Sequence, residues 1–270
     1  MRDWKYNVSF VLVEPKESGN IGASARAIKN MGFRHLCLVR PPSEITDEAR
    51  WLAHNALDIL ESAQAFESLE EAIKDKSIIV GTTRRAGKHR GLSMPAQKGC
   101  EYLLERAGEN KVAVLFGRED KGLLNEEVAE CGLLLHIPTS REHRSLNLSQ
   151  AVLIVAYELL KAGHGQKQTL DRGGIIPLSQ TPSASPAVLV NQKELKALYS
   201  RMTGVLKLLE YLPRGDRDLE AKIMQNLKYF IGRAGITDWE LRMLYGLCSQ
   251  IEKKIGKRGE KPDVTTKNLP

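Results

Sequence analysis

The sequence predicts an α/β fold with a mainly parallel sheet over residues 1–165, then a linker over 166–190 and a small all-helical extension over 191–255. Three observations predict it. Five apolar runs of strand length, at 8–13, 36–39, 78–81, 112–116 and 133–137, alternate with stretches of helical spacing. Such alternation favours parallel strands joined by crossover helices. The pattern breaks at 163–186, GHGQKQTLDRGGIIPLSQTPSASP, a composition typical of linkers. Helical periodicity then resumes with no further strand-like run.

The first strand is VSFVLV at 8–13, and Gly19, Asn20 and Gly22 then form a flexible turn into a helix over 21–31. The spacing is G-x-x-G, not G-x-G-x-x-G, which argues against an ordinary dinucleotide site. Arg26 falls on the first turns of this helix, where an arginine suits a phosphate. It also reads as a plain surface arginine. After the strand at 36–39 come an irregular helix over 49–65, a short one over 69–74 and the strand at 78–81. The loop that follows, GTTRRAGKHR at 81–90, is basic and stands at a strand's carboxyl end, where such folds bind ligands. Its Lys and Arg residues suit phosphate contacts, or form a solvated loop.

A helix over 95–106 opens with Pro95 near its first turn. The strand at 112–116 runs into Gly117, which either lets a ligand approach the backbone or makes an ordinary turn. LFGREDKGLL at 115–124 and IPTSREHRSLNLS at 137–149 each read as a strand, a turn and a short helix, together forming a pocket wall. The last helix of the domain, over 146–162, carries Leu146, Ala151, Leu153, Ile154, Tyr157 and Leu160 in a mostly buried pattern. Ser145 and Asn147 at its start read equally well as capping groups. Helices over 191–211, 216–232 and 237–255 follow, the last with Thr237 and Glu240 in a capping-box arrangement. The tail over 256–270 is polar and basic, and reads as disordered.

Composition narrows the class. With 42% hydrophobic and 27% charged residues, the 270-residue chain reads as an ordinary globular protein. No apolar run approaches the roughly 18 to 20 residues that span a bilayer, and the amino terminus lacks the order of a signal peptide. Cys37, Cys100, Cys131 and Cys248 are scattered, which reads as reduced thiols in the cytoplasm rather than a zinc site or disulfide framework. The net charge is +7; residues 191–270 hold 16 Lys and Arg against 10 Asp and Glu, while residues 1–190 hold 24 against 23. A basic appendage on a nearly neutral domain suggests a polyanionic partner such as nucleic acid, although a solvated basic face accounts for it equally.

GNIGASARAIKNMGF, the GTTRR loop, LFGREDKGL and SLNLSQAVLIVAYEL stand in the order and at the spacing of the signature motifs of SPOUT-class RNA 2′-O-methyltransferases (the TrmH superfamily), which the chain resembles over residues 7–162. In the extension, LEAKIMQNLKYFIGRAGITDWELRMLYGL is similar to the TrmJ branch, which methylates the ribose of nucleotide 32 in the tRNA anticodon loop. The resemblance implies a parallel-sheet SPOUT fold whose C-terminal part forms a deep trefoil knot. It implies S-adenosylmethionine as cofactor, contacted by Thr82, Thr83, Arg84, Gly117, Ile137, Arg144, Ser145 and Leu146. Arg26 would be catalytic, with Ser145 and Asn147 helping to orient either it or the ribose hydroxyl, and Arg26, Arg85, Lys88 and Arg90 would meet RNA. The partners implied are tRNA and a second copy of the chain, with no membrane and no metal. Another tRNA or rRNA ribose, or RNA binding without catalysis, are the alternatives. Retention of Arg26, Ser145 and Asn147 argues against the last.

Overall fold

β1 (Val8–Val13) is buried along its whole length, so its sequence is an unbroken apolar run rather than an alternating one. The computed structural model describes residues 3–84, 93–140, 142, 145–171, 187–211 and 217–259. After β1 come α1 (Ser18–Asn30), β2 (His35–Val39), α2 (Asp47–Ala53), α3 (Leu57–Glu61), β3 (Gln64–Phe66), α4 (Leu69–Ile73) and β4 (Ile78–Thr82). Then follow β5 (Ser93–Pro95), α5 (Ala96–Ala107), β6 (Val112–Phe116), α6 (Asn125–Ala129), β7 (Leu133–His136) and α7 (Leu148–Asp171). The strands form one sheet in the order β3-β2-β1-β6-β4-β7-β5, and every pairing is parallel.

Helices cover both faces, as a parallel sheet requires. α1, α5 and α7 bury Ile21, Ile28, Leu103, Val152, Val155 and Leu159 against Phe10 and Phe116. On the other face, Ile73 of α4 and Val128 of α6 join Val11, Val13, Ile79, Leu115 and Leu134. The extension is α8 (Gln192–Leu208), α9 (Arg217–Ala234) and α10 (Asp238–Gly259), packed around Leu195, Leu198, Tyr199, Ile231, Ile236 and Leu241. Its caps are legible in sequence. Asn191 and Glu194 exchange bonds of 3.1 and 2.9 Å, and the backbone N–H of Thr237 donates to Glu240 at 2.7 Å.

The extension is fastened to the amino edge of the sheet. The Ser77 hydroxyl donates to the Leu189 carbonyl (3.1 Å), and buried Asn110 bonds both Ala187 O and Leu189 N. α9 grips α6 through Lys228–Glu130 (2.7 Å) and through Gln225 to the Ala129 carbonyl (3.2 Å).

Several expectations change. The helix over 49–65 is instead α2, a 3-10 turn at His54–Ala56 and α3, because His54 takes a left-handed φ of 48° that interrupts the helix. β3 and β5 are absent from the sequence reading, since three-residue edge strands carry no apolar run. Gly19, Asn20 and Gly22 are not a turn: α1 starts at Ser18 and contains them. Gly22 is there because α2 crosses so closely that an added Cβ would stand 1.9 Å from the Ala49 carbonyl oxygen. α7 starts at Leu148 rather than 146 and runs to Asp171, into the expected linker. α10 continues to Gly259, into the expected tail. Residues 172–186 and 260–270, on which the linker and disorder readings mostly fall, lie outside the described residues.

Candidate active site

A cavity opens at the carboxyl ends of β4, β6 and β7, the edge where parallel α/β sheets bind ligands. The end of β4 and the residues after it contribute Thr82, Thr83 and Arg84, the segment after β6 contributes Gly117 to Leu123, and the approach to α7 and its first residue contribute Ile137, Ser145, Leu146 and Leu148. Two bonds hold the strand ends together. The Thr82 hydroxyl donates to the Leu115 carbonyl (2.9 Å), and the Thr83 N–H donates to the Leu135 carbonyl (2.8 Å). Leu135, Ile137, Leu148 and Ala151 make one wall apolar, while Thr82, Thr83 and Ser145 set hydroxyls around it.

The turn after β6 is closed by Arg118 N to Gly122 O (3.2 Å) and Gly122 N to Arg118 O (2.8 Å), with Gly122 at φ 68°. A Cβ on Gly117 would fall 2.0 Å from the Gly122 carbonyl carbon. Closure of this turn therefore accounts for the glycine, and the ligand-approach reading is not needed to explain it.

Beside the cavity, one chain of hydrogen bonds joins three elements. The Glu119 carboxylate accepts from the backbone N–H groups of Lys16 (3.0 Å) and Glu17 (3.3 Å) and from the Asn20 amide (2.9 Å). It thus satisfies donors at the start of α1, where Glu17 provides no side-chain cap. Asn20 Oδ1 accepts from the Asn147 amide (2.8 Å), and Asn147 Oδ1 accepts from Ser149 N (2.8 Å) and Ser149 Oγ (2.7 Å) at the start of α7. Asn147 is thus a capping group that also reaches across to α1. Burial alone would raise the Glu119 carboxyl, but the Asn20 amide and the Lys16 and Glu17 N–H groups outweigh it and hold the carboxyl below its usual value.

That shift has a pH consequence. A lowered folded value means that Glu119 stabilises the protein above the unfolded carboxylate value of about 4.3. This stability is lost as pH falls through the lowered value. Glu119→Gln should melt lower than the parent near neutral pH and lose less on acidification from about pH 5 to pH 3. Thermal melts across that range check it; parallel acid profiles would mean the ionised clamp carries no weight.

Under the turn lies a buried ion chain. Arg118, 7% exposed, donates from Nε to Glu14 (2.6 Å) and from both Nη atoms to Glu127 (3.0 Å each), which is 5% exposed. Arg40 pairs with the other oxygen of Glu14. Arg118 lowers the Glu14 carboxyl below its ordinary range against the opposing effect of burial, with Arg40 assisting.

The cavity thus brings together Thr82, Thr83, Arg84, Gly117, Ile137, Ser145 and Leu146, with Asn147 at its rim. Arg26 is not among its lining residues. Because α1 begins at Ser18, Arg26 sits on the third turn, about 12 Å along the axis from the helix start, and is exposed. The phosphate reading that placed it by the helix N-terminus is corrected accordingly. Arg85, Lys88, Arg90 and Arg144 lie outside the described residues. Sequence reasoning missed Glu119, Asn20 as a bridging group, and the Arg118–Glu127 pair. The available signal was the charged run REDK directly behind Gly117.

The SpoU rRNA methylase family matches residues 7–157. An uncharacterised tRNA/rRNA methyltransferase of Haemophilus influenzae is 32% identical over 92% of this chain and 96% of its own. The tRNA (cytidine/uridine/adenosine-2′-O-)-methyltransferase TrmJ of Pseudomonas aeruginosa is 32% identical over 91% of this chain and 94% of its own. Among solved structures, TrmJ of Zymomonas mobilis (Z. mobilis ZM4) superposes with a TM-score of 0.72 at 27% identity, covering 90% of this chain and 98% of that one. A family match over more than half of the chain, on the segments that build the cavity, makes this protein a member of the SpoU rRNA methylase family.

Proposed function

We propose that the protein methylates a ribose 2′-hydroxyl of tRNA at nucleotide 32 of the anticodon loop, acting in the cytoplasm as a homodimer. The observation that carries the reading is the cavity at the carboxyl edge, flanked by the Glu119–Asn20–Asn147 chain that joins the motif segments of α1, β6 and α7. Relatives that span nearly the whole chain are named as tRNA 2′-O-methyltransferases, which favours tRNA over rRNA as substrate.

S-adenosylmethionine is the methyl donor of this family, and supplies a methyl group on a sulfonium whose departing thioether is neutral, so the chemistry calls for no metal. The lining suits such a molecule: an apolar wall for a flat base, and hydroxyls for a ribose and an amino-acid end. Thr82, Thr83, Arg84, Gly117, Ile137, Ser145 and Leu146 would hold it, with Arg144. The protein's own task is the weakly acidic 2′-hydroxyl. With a pKa above about 12, an arginine is a poor base. Arg26 therefore acts first as an electrostatic stabiliser of the developing alkoxide and its neighbouring phosphate. Ser145 and Asn147 orient the hydroxyl, and positioning of the two reactants supplies much of the rate.

Arg26 stands away from its own chain's cavity, which favours a site completed across a dimer. The dimer face of this proposal is on α7 beside α1, where Leu153 and Tyr157 are exposed one helical turn apart. The trefoil knot belongs to the same proposal, supported by the sheet order that sets β4 between β6 and β7. The basic extension, with 16 positive against 10 negative residues over 191–270, would grip the tRNA backbone, and Arg85, Lys88 and Arg90 would add phosphate contacts near the target.

The test is methyl transfer from labelled donor to total RNA, with mass mapping of the product. Label on the ribose of nucleotide 32 supports the full reading. Label confined to rRNA, or no transfer at all, overturns it.

A further inference from the structure

We propose that Arg118 is a positioning residue for the methyl donor: through Glu14 and Glu127 its buried guanidinium fixes the turn that forms one wall of the cavity. The inference rests on the function proposed above. It assigns a role to a lining residue whose side chain is buried in the turn rather than offered to a ligand.

The geometry is unusually complete for one side chain. Arg118 closes the turn with its backbone, through the paired bonds to Gly122, and anchors it with its side chain, through Nε and both Nη atoms. The acceptors tie it to distant segments. Glu14 directly follows β1, and Glu127 belongs to α6, just beyond the turn. Glu127 also accepts from the backbone N–H of Leu124 at 2.7 Å, so one carboxylate holds both the entry and the exit of the turn. Glu14 and Arg40 pair with each other, and each is held at a positive φ, 48° and 46°, which residues with a side chain rarely adopt. The carboxyl ends of β1 and β2 are thus bent to present this pair.

Arg118 has no alternative partner in water, because it is almost wholly buried. Removing it would leave two carboxylates facing the space it vacated, one of them nearly inaccessible. A lysine would restore the charge but not the fork that spans Glu14 and Glu127 together. The turn would then relax around Glu119 and Gly117, the residues that face the cavity and the start of α1.

Arg118→Lys and Arg118→Met are compared with the parent by calorimetric titration with S-adenosylmethionine alone, by tRNA binding, and by steady-state kinetics. Donor affinity should fall in the order parent, Lys, Met, with the Met variant weaker by about tenfold or more. The effect should appear in KM for the donor, with kcat at saturating donor within a few-fold and tRNA affinity within about twofold. Equal donor affinity in a folded Met variant overturns the proposal, as does a parallel loss of donor and tRNA binding, which would indicate general unfolding. If the Met variant does not fold, Glu14→Gln removes charge from one side only. It should still weaken donor binding, and unchanged binding there overturns the proposal. A parent protein that binds no donor overturns the functional reading itself, an outcome distinct from equal binding by parent and variants.

Discussion

Arg26→Ala is expected to lower the rate of methyl transfer by a hundredfold to a thousandfold, the scale of losing one stabiliser of developing negative charge, about 3 to 4 kcal/mol. Donor affinity should stay within a few-fold, because Arg26 does not line the cavity proposed for the donor. The fold should be untouched. Arg26 is exposed on α1, and no hydrogen bond or ion pair links it to another described residue. Single-turnover transfer from labelled donor, with calorimetry alongside, measures both quantities. Near-normal turnover would remove Arg26 from the mechanism.

Gly117→Ala is expected to be nearly as damaging for the opposite reason. Its methyl would need to occupy space 2.0 Å from the Gly122 carbonyl carbon and 2.1 Å from Leu123 N. Carbon pairs rest at about 3.5 to 4.0 Å. Both obstructing groups are backbone, so no rotamer change relieves the clash and the turn must open. Donor affinity should fall by more than about tenfold, since Gly117, Gly122 and Leu123 all line the cavity. Calorimetry decides it, and donor binding within twofold of the parent would mean the turn is softer than its contacts imply. Together the two variants form a test of subunit sharing. Co-expressed, and assayed at a donor concentration too low for either variant to turn over alone, they should recover about a quarter of parental activity if Arg26 serves the partner's cavity, since half the dimers are mixed and each holds one intact site. No recovery would place the arginine and the cavity of one chain in the same site.

What the sequence made legible follows from how strongly burial constrains each element. β1, β4, β6 and β7 are the central strands, and their runs are apolar because helices cover both faces. The edge strands β3 and β5 pair along one side only and leave no pattern to read. The motif residues around the cavity could be grouped by resemblance, but their bonding could not. Glu119 looked like one member of a charged run, and only the fold sets it against the start of α1. Arg118 is similar: the sequence gives no sign that Glu14 and Glu127 share its guanidinium. The start of α1 was misread because Gly19 and Gly22 usually mark turns, whereas here they make room for α2.

The contact between Gly132 and Gly232 bears on how this protein can be recombined with its relatives. A Cβ on Gly132 would stand 2.2 Å from the Gly232 carbonyl oxygen, so the loop before β7 and the end of α9 meet backbone to backbone. No side chain cushions the seam, and even one methyl on the 132 side cannot be absorbed there. A helical module transplanted from another enzyme would dock in this register only against glycine at 132, whereas a Cβ at 232 would stand 3.1 Å from the Gly132 Cα and ask for a small shift of the seam. Chimeras meant to exchange substrate preference should therefore carry the pair as a single unit of inheritance, with the crossover placed outside it.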